Sequence, residues 1–523
     1  MKNAKKVLAF TLCIMMLLSS MVNDGWSTLF KASAMRDHEQ SYNDTRVELD
    51  FNKGWRFALE DDDVSYLKGF DDSDWETVDL PHDFSMSQEF TNEGTEAESG
   101  SLPGGTGWYR KWFNLYDYYT GDRVIINFEG AYQHAYVYVN GQYVGENHYG
   151  YNSFSFEISD YVLFSNTELN LIAVKVVNDI PNSRWYSGSG LYRDVSLTIA
   201  GPVHTALYGP QITTPGIENG DGTVEANVHI HNDTAISKKV TVEATVLDAN
   251  HNPVSDTVVS DQITIKGETE ANVTLTPSVS NPELWTLENP YLYKLKTVVK
   301  NADGEMIDEY HTTFGYRYIE WDADKGFKFN GEYMKLKGVS LHHDQGAIGA
   351  VQEYEALYRQ VMTLKEMGCN AIRTTHNPAS KVLMEICNEV GMLVMVEFFD
   401  GWDVSKSYNE NDFSKYFNET ISENNNAIGA HGQKWFEFVV EQTVLRDEHD
   451  PCVIAWDIGN ELFNVDDPSA TQNYNDIATR IIEIVKQYDT TRPVTFGNNR
   501  PWEEGAKELD NKMDVIGGNY APD

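Results

Sequence analysis

The sequence predicts three folded domains in series, two all-β and the last α/β: a jelly-roll β-sandwich, an immunoglobulin-like β-sandwich and an incomplete (β/α)8 TIM barrel holding about six of its strands. Three observations predict this. Short alternating strands fill residues 46–200 with no long helical period, as in antiparallel sandwiches. Val and Thr alternate among frequent turn residues over 201–315, a span of immunoglobulin size. From residue 316 to 523 strands alternate with amphipathic helices, which is the rhythm of βα repeats.

The first elements precede any fold. Residues 1–34 read as a secretory signal: Lys2, Lys5 and Lys6 precede the apolar run Val7 to Leu18, and Ala32-Ser33-Ala34 offers an A-x-A cleavage site. That run is too short to cross a membrane, and no later one has the ~20 apolar residues a spanning helix needs. The protein is therefore expected outside the cell, and attachment to a cell wall would need sequence beyond residue 523. Residues 35–45 form a polar leader. Cys13 lies in the signal, while Cys369, Cys387 and Cys452 lie in apolar helix or strand contexts. They read as buried thiols, neither a disulfide framework nor a metal site. A net charge of -40 without a basic patch excludes nucleic acid as a partner. The 12 Trp and 29 Tyr suit sugar-stacking clefts and core packing equally.

In the first domain the strands are YRKWFNL, RVIINFEG, HAYVYVNGQYVGE, LNLIAVKVVN and YRDVSLTI, with Asn140-Gly141 as a hairpin turn. The glycine-rich piece from Leu102 to Gly107 leads into a strand, not a helix, so it is no phosphate loop. The acidic runs at 61–63 and 71–74 read as solvated loops. The second domain lacks the Cys–Trp–Cys core of antibody domains. In the third, YMKLKGVSL, NAIRTT, MLVMVEFF, VIAWDIGN, PVTFG and MDVIGGNY are the strands, separated by helices over 353–368, 380–391, 433–449 and 471–489 and a short fifth. The barrel is expected to break off after its sixth strand, with Asp523 not the natural end.

Barrels of this kind place their chemistry at the C-terminal ends of the strands. Strand one ends in His342, His343 and Asp344; strand two in Arg373, His376 and Asn377; strand three in Glu397, Asp400 and Trp402; strand four in Asn460 and Glu461; strand six in Asn519 and Tyr520. Each has a plain alternative. Asn460 and Glu461 could cap a helix, and Glu397 could be a buried partner of Arg373. So many polar groups at one mouth would cost about 1–3 kcal/mol each if buried unpaired, which points to a shared active site. Adjacent side chains such as His342, His343 and Asp344 diverge, whereas zinc ligands converge, so no metal is assigned.

Four barrel segments, LKGVSLHHDQGAIGA, CNAIRTTHNPAS, VEFFDGW and AWDIGNE, resemble the signatures of glycoside hydrolase family 2. Upstream, LPGGTGWYRKWF and RWYSGSGLYRDV resemble that family's sugar-binding-like domain, and the order of domains matches from about residue 46 onward. HHDQGAIGA and RWYSGSGLYRDV are most similar to secreted β-galactosidases of Gram-positive bacteria, while β-glucuronidases share much of the barrel pattern. The resemblance implies a retaining hydrolase of terminal β-galactosides, with β-galactoside oligosaccharides or glycans as its partners. It implies Glu461 as general acid/base and Asn460 on the sugar 2-hydroxyl. His342, Arg373, His376 and Tyr520 would contact sugar or steady the nucleophile, and Arg184 and Trp185 would reach the mouth from a jelly-roll loop.

Two departures stand out. The family's nucleophile, a Glu after strand seven, would lie past Tyr520 and is not in this sequence, so the chain alone is expected to be inactive. A Glu-x-His that holds magnesium in some members is replaced here by Phe399-Asp400-Gly401-Trp402, so no cofactor is assigned and a divalent cation has no defined place. The alternatives are a β-glucuronidase of the same family and a non-catalytic carbohydrate-binding fragment. The oligomeric state is left open.

Overall fold

The computed structural model describes residues 45–407, 409–462, 474–500 and 504–520. The expected signal and nearly all of the polar leader lie outside these residues.

The jelly roll is two antiparallel sheets face to face. One has four strands in the order Arg46–Asp50, Val195–Ala200, Arg123–Phe128, Phe154–Glu157. The other has six, from Glu76–Val78 at one edge to Gln142–Asn147 at the other. The domain's first and last strands pair, Arg46 opposite Ala200, and this closes it. Asn140 and Gly141 both take positive φ, 53° and 83°, the geometry of a two-residue hairpin turn. Trp55, Tyr109, Ile126, Phe128 and Val174 fill the space between the sheets.

The second sandwich runs from Val203–Thr205 to Met306–Phe314 and keeps a core of its own, built on Val228, Ile230, Val242, Leu295 and Val299. The jelly roll and the third domain, by contrast, share one continuous hydrophobic core. Buried Arg193 joins them: it donates to the carbonyls of Tyr151 and Glu129 on one side and of Pro378 and Ala379 on the other.

The third domain opens with a small sheet that the sequence pattern does not announce, Ile319–Asp322, Gly326–Phe329 and Glu332–Tyr333. The expected strand YMKLKGVSL is therefore split. Tyr333 pairs with Lys328 in this sheet, and the barrel strand begins only at Gly338. A side chain at Gly338 would press to 2.9 Å from the Ala371 carbonyl oxygen. Six parallel strands follow in sequence order: β1 (Gly338–Leu341), β2 (Ala371–Thr374), β3 (Leu393–Glu397), β4 (Val453–Asn460), β5 (Val494–Asn498) and β6 (Gly517–Gly518). Between them run α1 (Tyr354–Glu366), α2 (Lys381–Val390), α3 (Trp435–Asp447), α4 (Tyr474–Tyr488) and α5 (Glu504–Asp510).

The sheet is a half-barrel, and burial grades along it. Every residue of β4 and β5 is buried, whereas β1 alternates between exposed and half-buried. Strand six is shorter than expected, only two residues, because the backbone pairing with β5 is confined to Gly517 and Gly518. No helix among the described residues is long and apolar enough to cross a membrane. Among the described residues the three cysteines are free thiols; Cys387 and Cys452 are buried and Cys369 is partly buried.

Candidate active site

Parallel strands in sequence order bring their C-terminal ends to one side, and a cavity of about 380 Å³ opens there. Arg184, Ser340, His342, Arg373, Thr375 and His376 form one part of its wall, and Asn460, Glu461, Asn519 and Tyr520 the other. Seven of the eight residues singled out from the sequence thus meet around one space. The eighth, Trp185, stands just behind: its ring centroid is 4.8 Å from that of His342 and 5.7 Å from that of His376. Its indole donates to the Tyr151 hydroxyl at 3.1 Å.

Glu461 is the first residue past β4. Its N–H donates to the Gly497 carbonyl at 2.7 Å, and it holds φ at 48°. A non-glycine residue in this region carries on the order of 1–3 kcal/mol of strain, which a packed surrounding must hold in place. Here β5 does so, and the turn leaves the carboxyl in the cavity wall with only 8% exposure. Asn519 Nδ2 bridges the pair, donating to Glu461 Oε1 at 2.8 Å and to Asn460 Oδ1 at 3.1 Å. Glu461 is the only carboxylate lining this cavity among the described residues.

Arg373 lies across the floor, with Nε 2.8 Å from Asp457 Oδ2 and Nη2 3.1 Å from Glu397 Oε2. Burial opposes its charge, but the carboxylates of Asp457 and Glu397 outweigh that and hold its pKa above the ordinary value. The group fits only because β5 carries glycine at this point. A Cβ on Gly497 would sit 2.6 Å from Arg373 Nη2. Glu397 does not line the cavity; it is fully buried, and its partners are Arg373 and His376. Burial, with the charges of Asp457 and Asp400 nearby, pushes its carboxyl well above the usual range against the pull of Arg373. His376, drawn down to about 4 by burial, is a neutral ring near pH 7. Its Nδ1 lies 2.9 Å from Glu397 Oε2, so one proton is held between them.

The histidines of strand one diverge as adjacent side chains must. His342 faces the cavity, while His343 is buried against the jelly roll, its Nε2 3.0 Å from the Ser187 carbonyl oxygen. Asp344 is exposed, Asn377 is buried away from the cavity, and Trp402 is buried with its indole donating to the Ile458 carbonyl. With Glu397 and Asp400, which also lie off the wall of this cavity, six of the expected strand-end residues are corrected out of it. Two polar atoms in the cavity wall, His342 Nδ1 and Thr375 Oγ1, are buried without a protein hydrogen-bond partner. Such atoms are rare in native folds and await a ligand or water.

Sequence reasoning missed Asp457, Lys406 and Gly497. Asp457 is hidden by its place inside a wholly buried strand, and Lys406 by its place in the long loop after β3. Gly497 did carry a signal, since a glycine inside a strand marks a close approach. No group of three or more His, Cys, Asp or Glu side chains among the described residues could hold a metal ion.

Comparison with known proteins decides the lineage. The sugar binding domain of glycosyl hydrolases family 2 matches residues 49–201, a second domain of the family 205–317, and its TIM barrel domain 323–521. The chain belongs to glycoside hydrolase family 2. Among family 2 relatives, Beta-galactosidase BoGH2A of Bacteroides ovatus is 36% identical over 508 residues, covering 91% of this chain and 57% of that protein. A putative beta-glucuronidase of Formosa agariphila is 34% identical over 462 residues, 87% of this chain and 40% of its own length. Of solved structures, a family 2 member from Bacteroides cellulosilyticus superposes with a TM-score of 0.82 at 35% identity, covering 90% of this chain and 58% of that one. The beta-glucuronidase of Bacteroides uniformis gives 0.75 at 26%, covering 91% and 55%. The family 2 chain spans about half the length of the curated relatives it matches.

Proposed function

We propose that this chain carries the acid/base side of the active site of a retaining β-galactosidase, with Glu461 as the general acid/base. The observation that carries the acid/base role is Glu461 itself, the one carboxylate in the cavity lining among the described residues, held there by Asn519. Each cation in the cavity wall is already matched: Arg184 by Asp400, and Arg373 by Asp457 and Glu397. His342 and His376 are both drawn below their ordinary pKa by burial. The groups that would read a sugar carboxylate are expected downstream of Tyr520, so the choice of galactosides rests on HHDQGAIGA and RWYSGSGLYRDV, while unpartnered His342 Nδ1 and Thr375 Oγ1 suit sugar hydroxyls. The similarity to a Bacteroides ovatus β-galactosidase supports the same reading.

In the proposed reaction Glu461 protonates the glycosidic oxygen as the bond from that oxygen to the anomeric carbon breaks. A second carboxylate, which the resemblance assigns downstream of Tyr520, forms the glycosyl-enzyme from the opposite face. Glu461, now ionised, takes a proton from the water that releases the sugar. Asn460 holds the 2-hydroxyl, and His342, Arg373, His376 and Tyr520 line the sugar's seat. The basic N-terminus, apolar run and A-x-A site support secretion, which N-terminal sequencing of the exported protein tests.

The test of Glu461 uses the full-length protein. Glu461→Gln keeps the shape and removes the titrating proton, and general acid help is worth about 10²–10⁴-fold. Lactose, with a poor leaving group, is expected to lose activity by that factor, while a dinitrophenyl galactoside forms its glycosyl-enzyme almost unimpeded. Added azide then restores turnover and yields a β-galactosyl azide. Equal losses on both substrates with no azide rescue would remove Glu461 from this role.

A second reading, β-glucuronidase, is favoured by the relatives that bear that name. Galactosides are expected to exceed glucuronides by at least ~100-fold in kcat/KM, about 2.7 kcal/mol of transition-state discrimination. The opposite preference would transfer the assignment to glucuronides.

A further inference from the structure

One carboxylate beside the cavity gathers more donors than an ordinary ion pair. Asp400 stands in the loop just past β3. Its Oδ1 accepts from Arg184 Nη2 at 2.5 Å, from Asn460 Nδ2 at 3.1 Å and from Lys406 Nζ at 3.2 Å, and its Oδ2 accepts from Arg184 Nε at 2.8 Å. Lys406, nearly buried, also donates to the main-chain carbonyl of Asn460. At the other end of the same amide, Asn460 Oδ1 accepts from Asn519 Nδ2 at 3.1 Å and lies 3.5 Å from Arg373 Nη2.

Each end of the amide therefore has one chemically permitted direction. Its nitrogen faces a carboxylate and its oxygen faces an amide N–H and a guanidinium. Turning it over would set the carbonyl oxygen against Asp400 and the NH2 group against Arg373, exchanging two attractions for two repulsions. One N–H is taken by Asp400, which leaves the second free for a ligand.

We propose that Asp400, paired with Arg184 and Lys406, is the positioning residue that fixes which end of the Asn460 amide meets the sugar 2-hydroxyl. This rests on the reading of Asn460 as the 2-hydroxyl contact. The two cations have separate origins. Lys406 comes from the same loop as Asp400, and Arg184 comes from the jelly roll, so the orientation of a barrel side chain is set across the domain boundary. Burial opposes the charge on Asp400, but Lys406 and Arg184 outweigh it and hold the carboxyl below the usual range. The hub thus stays anionic across the working pH of most enzymes.

The experiment compares a glycoside with its 2-deoxy counterpart in the full-length protein, using whichever pyranoside the wild type hydrolyses. A glucuronide preference would overturn the galactoside reading, and the 2-hydroxyl comparison is then made on glucuronides. Asp400→Ala is expected to lower kcat/KM for the 2-hydroxy substrate on the order of 10²-fold, as misplacement of a positioning group does. The 2-deoxy substrate, which has no hydroxyl to misplace, is expected to lose less than about 3-fold. In an Asn460→Ala background Asp400→Ala is expected to add almost nothing, since the two act through one contact. Lys406→Met carries the same comparison should Asp400→Ala fail to fold, as judged by its melting transition. Equal losses on both substrates, or additive losses in the Asn460→Ala background, overturn the proposal.

Discussion

At the scale of single residues, the site is a set of charges that consume one another before any ligand arrives. Arg373 is the clearest case, since Asp457 and Glu397 are both nearly inaccessible and both lean on it. Removing one partner of a buried pair strands the other, at about 3–5 kcal/mol. Arg373→Ala is accordingly expected to lower unfolding stability by that amount in a urea titration of the full-length protein, a loss separate from any effect on turnover. A fall of less than ~1 kcal/mol would mean that water or a proton already satisfies the two acids. The same network explains what could be read in advance. Asn460, Glu461 and the strand-end histidines declare themselves because polar residues closing apolar strands have little folding reason to be there. Asp457 is equally polar, but it alternates inside a strand whose every residue is buried, where nothing in the pattern separates a floor residue from a core one. Lys406 depends on a long side chain reaching a carbonyl 54 residues away, a contact with no local trace.

At the scale of elements, the helices were legible because their ends are chemically marked. Ser380 caps α2, its Oγ accepting from the Leu383 N–H at 3.2 Å, and Gly391 ends it at φ 72°. Ser380→Ala is expected to cost about 1 kcal/mol. Gly391→Ala should cost more, since it adds left-handed strain to a Cβ only 2.6 Å from the Leu287 carbonyl oxygen. Thermal melts of the two variants check that order. The strands divided differently. β4 has the bounds its apolar run suggested, Val453–Asn460, because both faces of a central parallel strand are covered. The hairpin sheet over 319–333 went unread, because its strands of two to four residues are too short for alternation to register. Its Phe327 and Phe329 are buried all the same, Phe329 edge-on to Trp285, so the element is held by packing from outside its own sequence.

At the scale of the molecule, burial of histidines makes the fold sensitive to acid. His134 and His343 are both pushed down to about 3 by burial, from about 6.5 in the unfolded chain. A depressed folded pKa gives stability that is fully present above the unfolded value and is lost as pH falls from about 6.5 toward 3. Each of the two contributes about 2 kcal/mol to that loss near pH 5. His82, His204 and His376, at about 4, and His449, at about 3, add in the same direction. Three buried acids run the other way: Asp450, raised to about 8 by burial beside Asp447, and Glu397 and Glu448, pushed well above their ordinary range by burial, each with a contribution present at low pH and lost as pH rises through its folded value. The histidine contribution is therefore read by difference: a His343→Gln variant is expected to show a melting temperature that falls less, or rises more, between pH 7 and pH 5 than the wild type's. An unchanged pH dependence in that variant would contradict the assignment. The contact from Arg184 to Asp400, 216 residues apart, has a consequence in time as well as in space. At about 10 residues per second on the ribosome, the carboxylate emerges some 20 s after the guanidinium that will bind it. During that interval the jelly roll, whose closing strand ends soon after Arg184, can finish folding. Arg184, with Trp185 behind it, is then in place before the first barrel strand is made, and the barrel assembles against a finished template.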